Sequence, residues 1–211
     1  MSRALRTVVG MARHPRARTL AAGLALVLLP ATAHAHLVTS GLGPFYDGVS
    51  HFALTPEDLL PALAMALLAG QQGSRAGRLA LFALPGAWLA GGLAGLAVPT
   101  VEHAMLLTTG SFLLLGGLVA AEARLQPQWV ATLAAAVGLL HGYLNGAAMA
   151  QARLGALGLA GIVSTLFVIV ALAAAMVVAI RAPWARIAVR VGGSWIVAIG
   201  LLLLGWSVRQ A

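Results

Sequence analysis

The side chains in this sequence that can do chemistry are acids and histidines, supported by one amide. Following a predicted export signal they run His36, Asp47, His51, Glu57, Asp58, Glu102, His103 and His141, with Asn145 one helical turn beyond the last and on the same face. The chain has no Cys, which excludes disulfides, thiolate metal sites and Cys nucleophiles. Nitrogen and oxygen ligands remain. Imidazole with carboxylate and amide oxygen can ligate a borderline divalent cation: the carboxylates raise the local cation concentration, and the imidazoles select against Mg and Ca.

Each position also has a structural use. Thr55-Pro-Glu-Asp58 reads as a helix start, with Thr55 as N-cap, Pro56 at the first helical position and two acids in the first turn, where they can interact with the helix dipole without touching a metal. Glu102, following Pro99 and Thr100, opens a further helix in the same way. His141 and Asn145 can be interhelical hydrogen-bond glue, and His51 an ordinary hydrogen-bonding loop residue. If a signal peptidase cuts after Ala35, His36 becomes the mature N-terminus, and its amine and imidazole together can chelate a metal.

The elements that hold these residues must sit in lipid. Of 211 residues 61% are hydrophobic and 9% charged, with mean hydropathy +0.95, so too little polar surface exists to face water. The expected fold is an all-α polytopic membrane bundle. Arg3, Arg6, Arg13, Arg16 and Arg18 precede an apolar stretch, Thr19 to Leu29, which is followed by Pro30 and Ala-Thr-Ala-His-Ala35: a secretory signal over 1–35, or an uncleaved anchor as the alternative. Residues 36–211 then form one transmembrane domain. Six spans are expected at about 57–72, 79–98, 102–121, 129–150, 156–180 and 190–208. The segment 36–56 is periplasmic or re-entrant, and residues 41–52 within it, rich in Gly and aromatics, read as a loop.

With the mature N-terminus in the periplasm, the cytoplasmic loops carry Arg75, Arg78, Arg124, Arg181, Arg186 and Arg190, and the periplasmic side carries Arg153 and Arg209. Six against two follows the positive-inside rule and implies the bacterial inner membrane. Without the signal, eight Arg face five acids, a charge of +3 with no basic patch interleaved with aromatics, so nucleic acid is not expected as a partner. Gly91 and Gly95, then Gly138, Gly142 and Gly146, then Gly155, Gly158 and Gly161 form small-residue stripes where helices can approach closely. Trp129, Trp184 and Trp206 fall near span ends, as an interfacial belt requires.

The run His51-Phe-Ala-Leu-Thr-Pro-Glu-Asp58-Leu-Leu, continuing through an apolar stretch to Gln71, resembles the first-helix signature of the HupE/UreJ membrane proteins, which show His-Pro, Asp-His-Leu-Leu, an apolar run and Gln. Glu102 is similar to the acid opening the third helix of that family, and His141-Gly-Tyr-Leu-Asn145-Gly resembles its His-Gly-x-Ala-His-Gly. The resemblance implies a permease that takes up nickel or cobalt from the periplasm, with the metal as substrate. At the matched positions it implies His51, Glu57, Asp58, Glu102, His141 and Asn145 as ligands, and the residue reading adds His36, Asp47 and His103 to the set from which ligands are drawn.

Two departures stand out. The family's Asp-His pair is Glu57-Asp58 here, and its second His of the later motif is Asn145. Oxygen replaces imidazole at both, a harder ligand set that admits Mn, Zn or Cu as well, and His103 beside Glu102 restores nitrogen only in part because adjacent helix positions point about 100° apart. The alternatives to a transporter are a metal-dependent intramembrane hydrolase acting on a lipid-like substrate and a non-transporting accessory for metalloenzyme assembly. No ATP-binding motif is present, and a homo-oligomer is compatible with the sequence.

Overall fold

The computed structural model describes residues 40–99 and 104–210. The expected signal 1–35, its cleavage after Ala35, and His36, Glu102 and His103 lie outside these residues. Among the described residues there are seven helices and no strand: α1 Pro44–Leu54, α2 Pro56–Gln71, α3 Ser74–Ala97, α4 Ala104–Ala120, α5 Pro127–Gln151, α6 Gly155–Ala179 and α7 Pro183–Gln210. The chain is an all-α bundle of membrane type. Helices α3, α5, α6 and α7 are long and apolar enough to cross a bilayer, and the pair α1–α2, bent by 72°, makes a fifth span or a re-entrant element. A helix lies at each of the six expected spans, but α2 and α4, at 16 and 17 residues, are shorter than the four long ones, so four spans, or five with the bent α1–α2 pair, meet the length and composition needed to cross.

Proline sets where several helices begin. Pro44, Pro56, Pro127 and Pro183 each open one, because the first position needs no N–H donor and the ring presets φ. At Pro56 this has a second effect. A residue before proline is driven out of the helical region, and Thr55 sits at φ −102°, ψ 96°, so α1 must end at Leu54 and the chain must turn before α2 can start. The loop expected over 41–52 is therefore largely helix: Pro44 starts one and Pro56 stops it.

Two arginine-bearing segments expected as loops are helical as well. Arg75 and Arg78 lie in the opening turns of α3, and Arg186 and Arg190 in those of α7. Apolar content marks only the part of a helix inside hydrocarbon, and these helices continue beyond it.

Helix α3 packs along α5, α4 along α7, and both α1 and α2 against α6. Glycine explains the first contact. A Cβ on Gly138 would run into Leu84 and Trp88, on Gly142 into the Trp88 carbonyl, on Gly146 into the Gly92 carbonyl, and on Gly91 and Gly95 into the backbone of Leu139 and Tyr143. The contacts rise together in both helices, so α3 and α5 run parallel, backbone against backbone. Gly161 of α6 and Gly48 of α1 bring those two helices together in the same manner, a Cβ on the first running into the Phe45 carbonyl and on the second into the Gly158 carbonyl, whereas a Cβ on Gly158 would meet Met149 and Leu154. Gly155 has a different role: nothing approaches its Cβ position, and it turns the chain at φ +57°, after Arg153 at φ +60°.

Three of the Trp residues, Trp129, Trp184 and Trp206, are exposed near helix ends, whereas Trp88 is fully buried. Around it lies a core of Phe52, Met65, Leu68, Phe112, Leu115, Leu159 and Leu166.

Candidate functional site

Asp58 occupies the third position of α2, where a carboxylate often serves the helix end. Here the helix start needs no such help: the N–H groups of Asp58 and Leu59 both donate to the Thr55 carbonyl, and the Thr55 side chain makes no capping bond. The Asp58 carboxylate turns inward instead. It is 6% exposed, and its Oδ1 lies 3.0 Å from Nδ1 of His141, which is fully buried in α5. Glu57, its neighbour in sequence, is exposed.

The glycine seam delivers His141 to this position. Gly138 and Gly142 flank it on α5, and because neither carries a side chain, α3 comes close enough for Trp88 to stack on the imidazole, centroids 5.4 Å apart with 25° between the rings. Phe52 of α1 meets Trp88 edge-on at 5.6 Å and so covers the stack. On its other nitrogen the imidazole meets α4: Nε2 is 3.0 Å from Ser111 Oγ. Four helices thus converge on one ring.

Proton counting fixes how this chain of bonds runs. Ser111 has a single hydroxyl proton and donates it to the Thr108 carbonyl at 2.6 Å. Its oxygen must then accept, so Nε2 of His141 carries a proton and donates. The contact between Nδ1 and Oδ1 holds one further proton, the place a cation bound by both groups would take over. Carboxylate, imidazole and hydroxyl in this order resemble an acyl-transfer triad, but the direction is reversed for nucleophile activation, since the base must accept the hydroxyl proton rather than donate to it. Ser111 also stands inside α4, where neighbouring N–H groups are committed to the helix and none is aimed at a developing oxyanion. The relay orients the imidazole.

One turn along α5, Asn145 is 2% exposed; its Nδ2 donates to the His141 carbonyl at 2.9 Å. Its Oδ1 is buried with no hydrogen-bond partner, and so is Trp88 Nε1. A buried acceptor left unpaired costs about 1–3 kcal/mol, which a cation or donor at that oxygen would recover. Asp58, His141 and Asn145 therefore offer carboxylate, imidazole and amide, the donor types that suit a borderline divalent ion. Among the described residues no three His, Asp or Glu side chains come together around one point.

The other expected residues are placed apart from this centre. Asp47 is buried in the first turn of α1, where its Oδ1 accepts from the Ser40 N–H and, at 2.6 Å, from the Ser40 hydroxyl, tying down the chain that enters the helix. His51 is half-buried in the last turn of α1. Ser111 and Trp88 were not among the expected site residues. Each had a signal: Thr108-Thr-Gly-Ser111 is a polar cluster inside an apolar span, and Trp88 stands mid-span, away from any interfacial belt.

A family model described as HupE / UreJ protein matches residues 24–203, most of the chain. No curated protein and no solved structure matches.

Proposed function

Because the chain belongs to the HupE/UreJ family, we propose that it is a permease that passes a divalent transition-metal cation, nickel or cobalt, through its helix bundle from the periplasm to the cytoplasm. The observation that carries this reading is the unpaired Asn145 Oδ1, buried one turn from the Asp58–His141 pair. A polar centre of this kind is expensive inside an apolar bundle, and ionisable groups placed there usually mark a pathway.

In this reading His51 and Glu57, on either side of the junction where α1 ends and α2 begins, meet the hydrated ion first, and Asp58, His141 and Asn145 take it over as water is lost. Toward the other end the same helix faces continue as Met65 and Leu68 on α2, Leu115 on α4, and Val137 and Ala134 on α5, all buried. This apolar plug closes the route onward, and helices that move relative to one another must open it. Two oxygens and one nitrogen hold a borderline ion loosely enough for release, whereas a cage of several imidazoles would retain it.

The test is accumulation of nickel, cobalt, manganese and zinc in proteoliposomes, for the wild type against Asp58→Ala, His141→Ala and Asn145→Ala, each first checked for insertion and melting. Uptake of at least one metal should fall roughly 10- to 100-fold in the variants, the loss typical when metal-site groups are removed. Folded variants that accumulate all four metals as the wild type does would overturn the reading.

A further inference from the structure

The end of the bundle that carries the arginines contains two adjoining cavities that a cation pathway does not explain. The first, about 260 Å³, is lined by Gln71, Gln72, Glu122, Arg124, Arg186 and Arg190. The second, about 220 Å³, shares Gln71, Glu122 and Arg186 with it and continues along an apolar wall of Val177, Val178, Ile180 and Val189.

Three guanidinium groups face one carboxylate across the first cavity, which leaves two positive charges. Arg186 uses Nη2 on Glu122, and Arg190 uses Nε on the Ala120 carbonyl, so each guanidinium is held in place while further N–H donors of its five remain. The two residues are one turn apart in α7 and share a face. Orienting a charge by its neighbours while keeping donors in reserve is the arrangement that recognises phosphate, whose oxygens match the planar fork. Charge sorted by side requires only that arginines lie at this end. It does not require three around one cavity.

The apolar wall identifies the source of the phosphate. A free anion has no use for Val177, Val178 and Ile180, whereas a lipid headgroup entering from the bilayer brings an acyl chain to lie against them. The cavities lie where α2 and α4 end and α7 begins, at the level of the headgroups if the bundle spans. We propose that these joined cavities bind the phosphate of an anionic phospholipid, held by Arg124, Arg186 and Arg190, with an acyl chain along the valine wall.

The test is native mass spectrometry of the full chain, released from detergent after incubation with phosphatidylglycerol, cardiolipin or phosphatidylcholine. Arg124→Gln/Arg190→Gln should weaken the two anionic adducts roughly 30-fold, as two lost charges at the surface predict, and leave the sparse phosphatidylcholine adduct unchanged. Arg190→Lys, which keeps the charge and loses the fork, should fall between, and Arg78→Gln, outside both cavities, should bind as the wild type does. Equal adducts for phosphatidylcholine and phosphatidylglycerol would overturn the proposal. So would a double variant of normal melting temperature that keeps its anionic lipid, or an equal loss in Arg78→Gln. Displacement of the lipid by millimolar inorganic phosphate would overturn the lipid as occupant in favour of the free anion.

Discussion

His141 Nδ1 lies 3.0 Å from Asp58 Oδ1, a contact between residues 83 apart in the chain that joins α5 to the first turn of α2. The pair is sealed on one side by Trp88, and beyond the imidazole by Ser111. Every group around it limits what the ring can do: the carboxylate and hydroxyl set its orientation, and the indole sets its plane.

If Ser111 fixes the ring by accepting from Nε2, Ser111→Ala leaves a buried donor without a partner. The expected cost is about 1–3 kcal/mol, read as a lower melting temperature in detergent. Ser111→Thr keeps the hydroxyl and should recover most of the loss. If Ala and Thr melt as the wild type does, the hydroxyl does not hold the ring.

The glycine seam makes a prediction of opposite signs for the same change. Gly142→Ala places a methyl group against the Trp88 backbone and should separate α3 from α5, destabilising by about 1–3 kcal/mol or more. At Gly86, also in α3, nothing lies within 4 Å of the added Cβ, and Ala should be neutral or stabilise by about 0.5–1 kcal/mol. Thermal melting of the two variants side by side decides whether close packing or glycine content governs the contact.

Trp88 reports on the candidate site without any transport measurement. It is fully buried on His141, whereas Trp129, Trp184, Trp195 and Trp206 are exposed. Nickel or cobalt bound by His141 should quench the buried, blue-shifted part of the fluorescence. Both the blue-shifted part and its quenching should vanish in Trp88→Phe, which keeps an aromatic ring on the imidazole. Quenching that persists undiminished in Trp88→Phe would place the metal elsewhere.

Glu122 and Arg186 form an ion pair at the surface, with side chains 32% and 64% exposed. Water screens such a pair, so Glu122→Gln should change stability by about 1 kcal/mol or less, and by less still in high salt. By contrast, Asp58→Ala leaves His141 buried without its carboxylate and should cost about 3–5 kcal/mol. Denaturation of both variants at low and high salt checks the contrast: the difference should persist in salt, because the buried pair is scarcely screened.

Much of the architecture was legible in the residues because its causes are local. Apolar runs of a given length specify a helix in lipid, and proline at a first helical position marks where one begins, as Pro56 and Pro127 show. His141 and Asn145 share a face by helical period alone. The closeness of α3 and α5 was foreshadowed by Gly91, Gly95, Gly138, Gly142 and Gly146, since only a residue without a side chain permits backbones to touch.

Which helix those glycines would meet, and which residues would face the imidazole, was settled only by tertiary packing. In a soluble protein an apolar stripe shows which way a helix turns inward; these helices are apolar on nearly every face, so composition carries little record of their rotation. Glu57 and Asp58 are adjacent acids of similar chemistry, and it is the orientation of α2 against α4, α5 and α6 that buries one and exposes the other. Ser111 and Trp88 gained their roles in the same way, by contact with a ring 30 residues away in one case and 53 in the other. The sequence alone determined the medium, the helices and the residue types available for cation chemistry. The rotation and pairing of the helices decided that Asp58 meets His141 and that the Asn145 Oδ1 is buried one turn away without a partner.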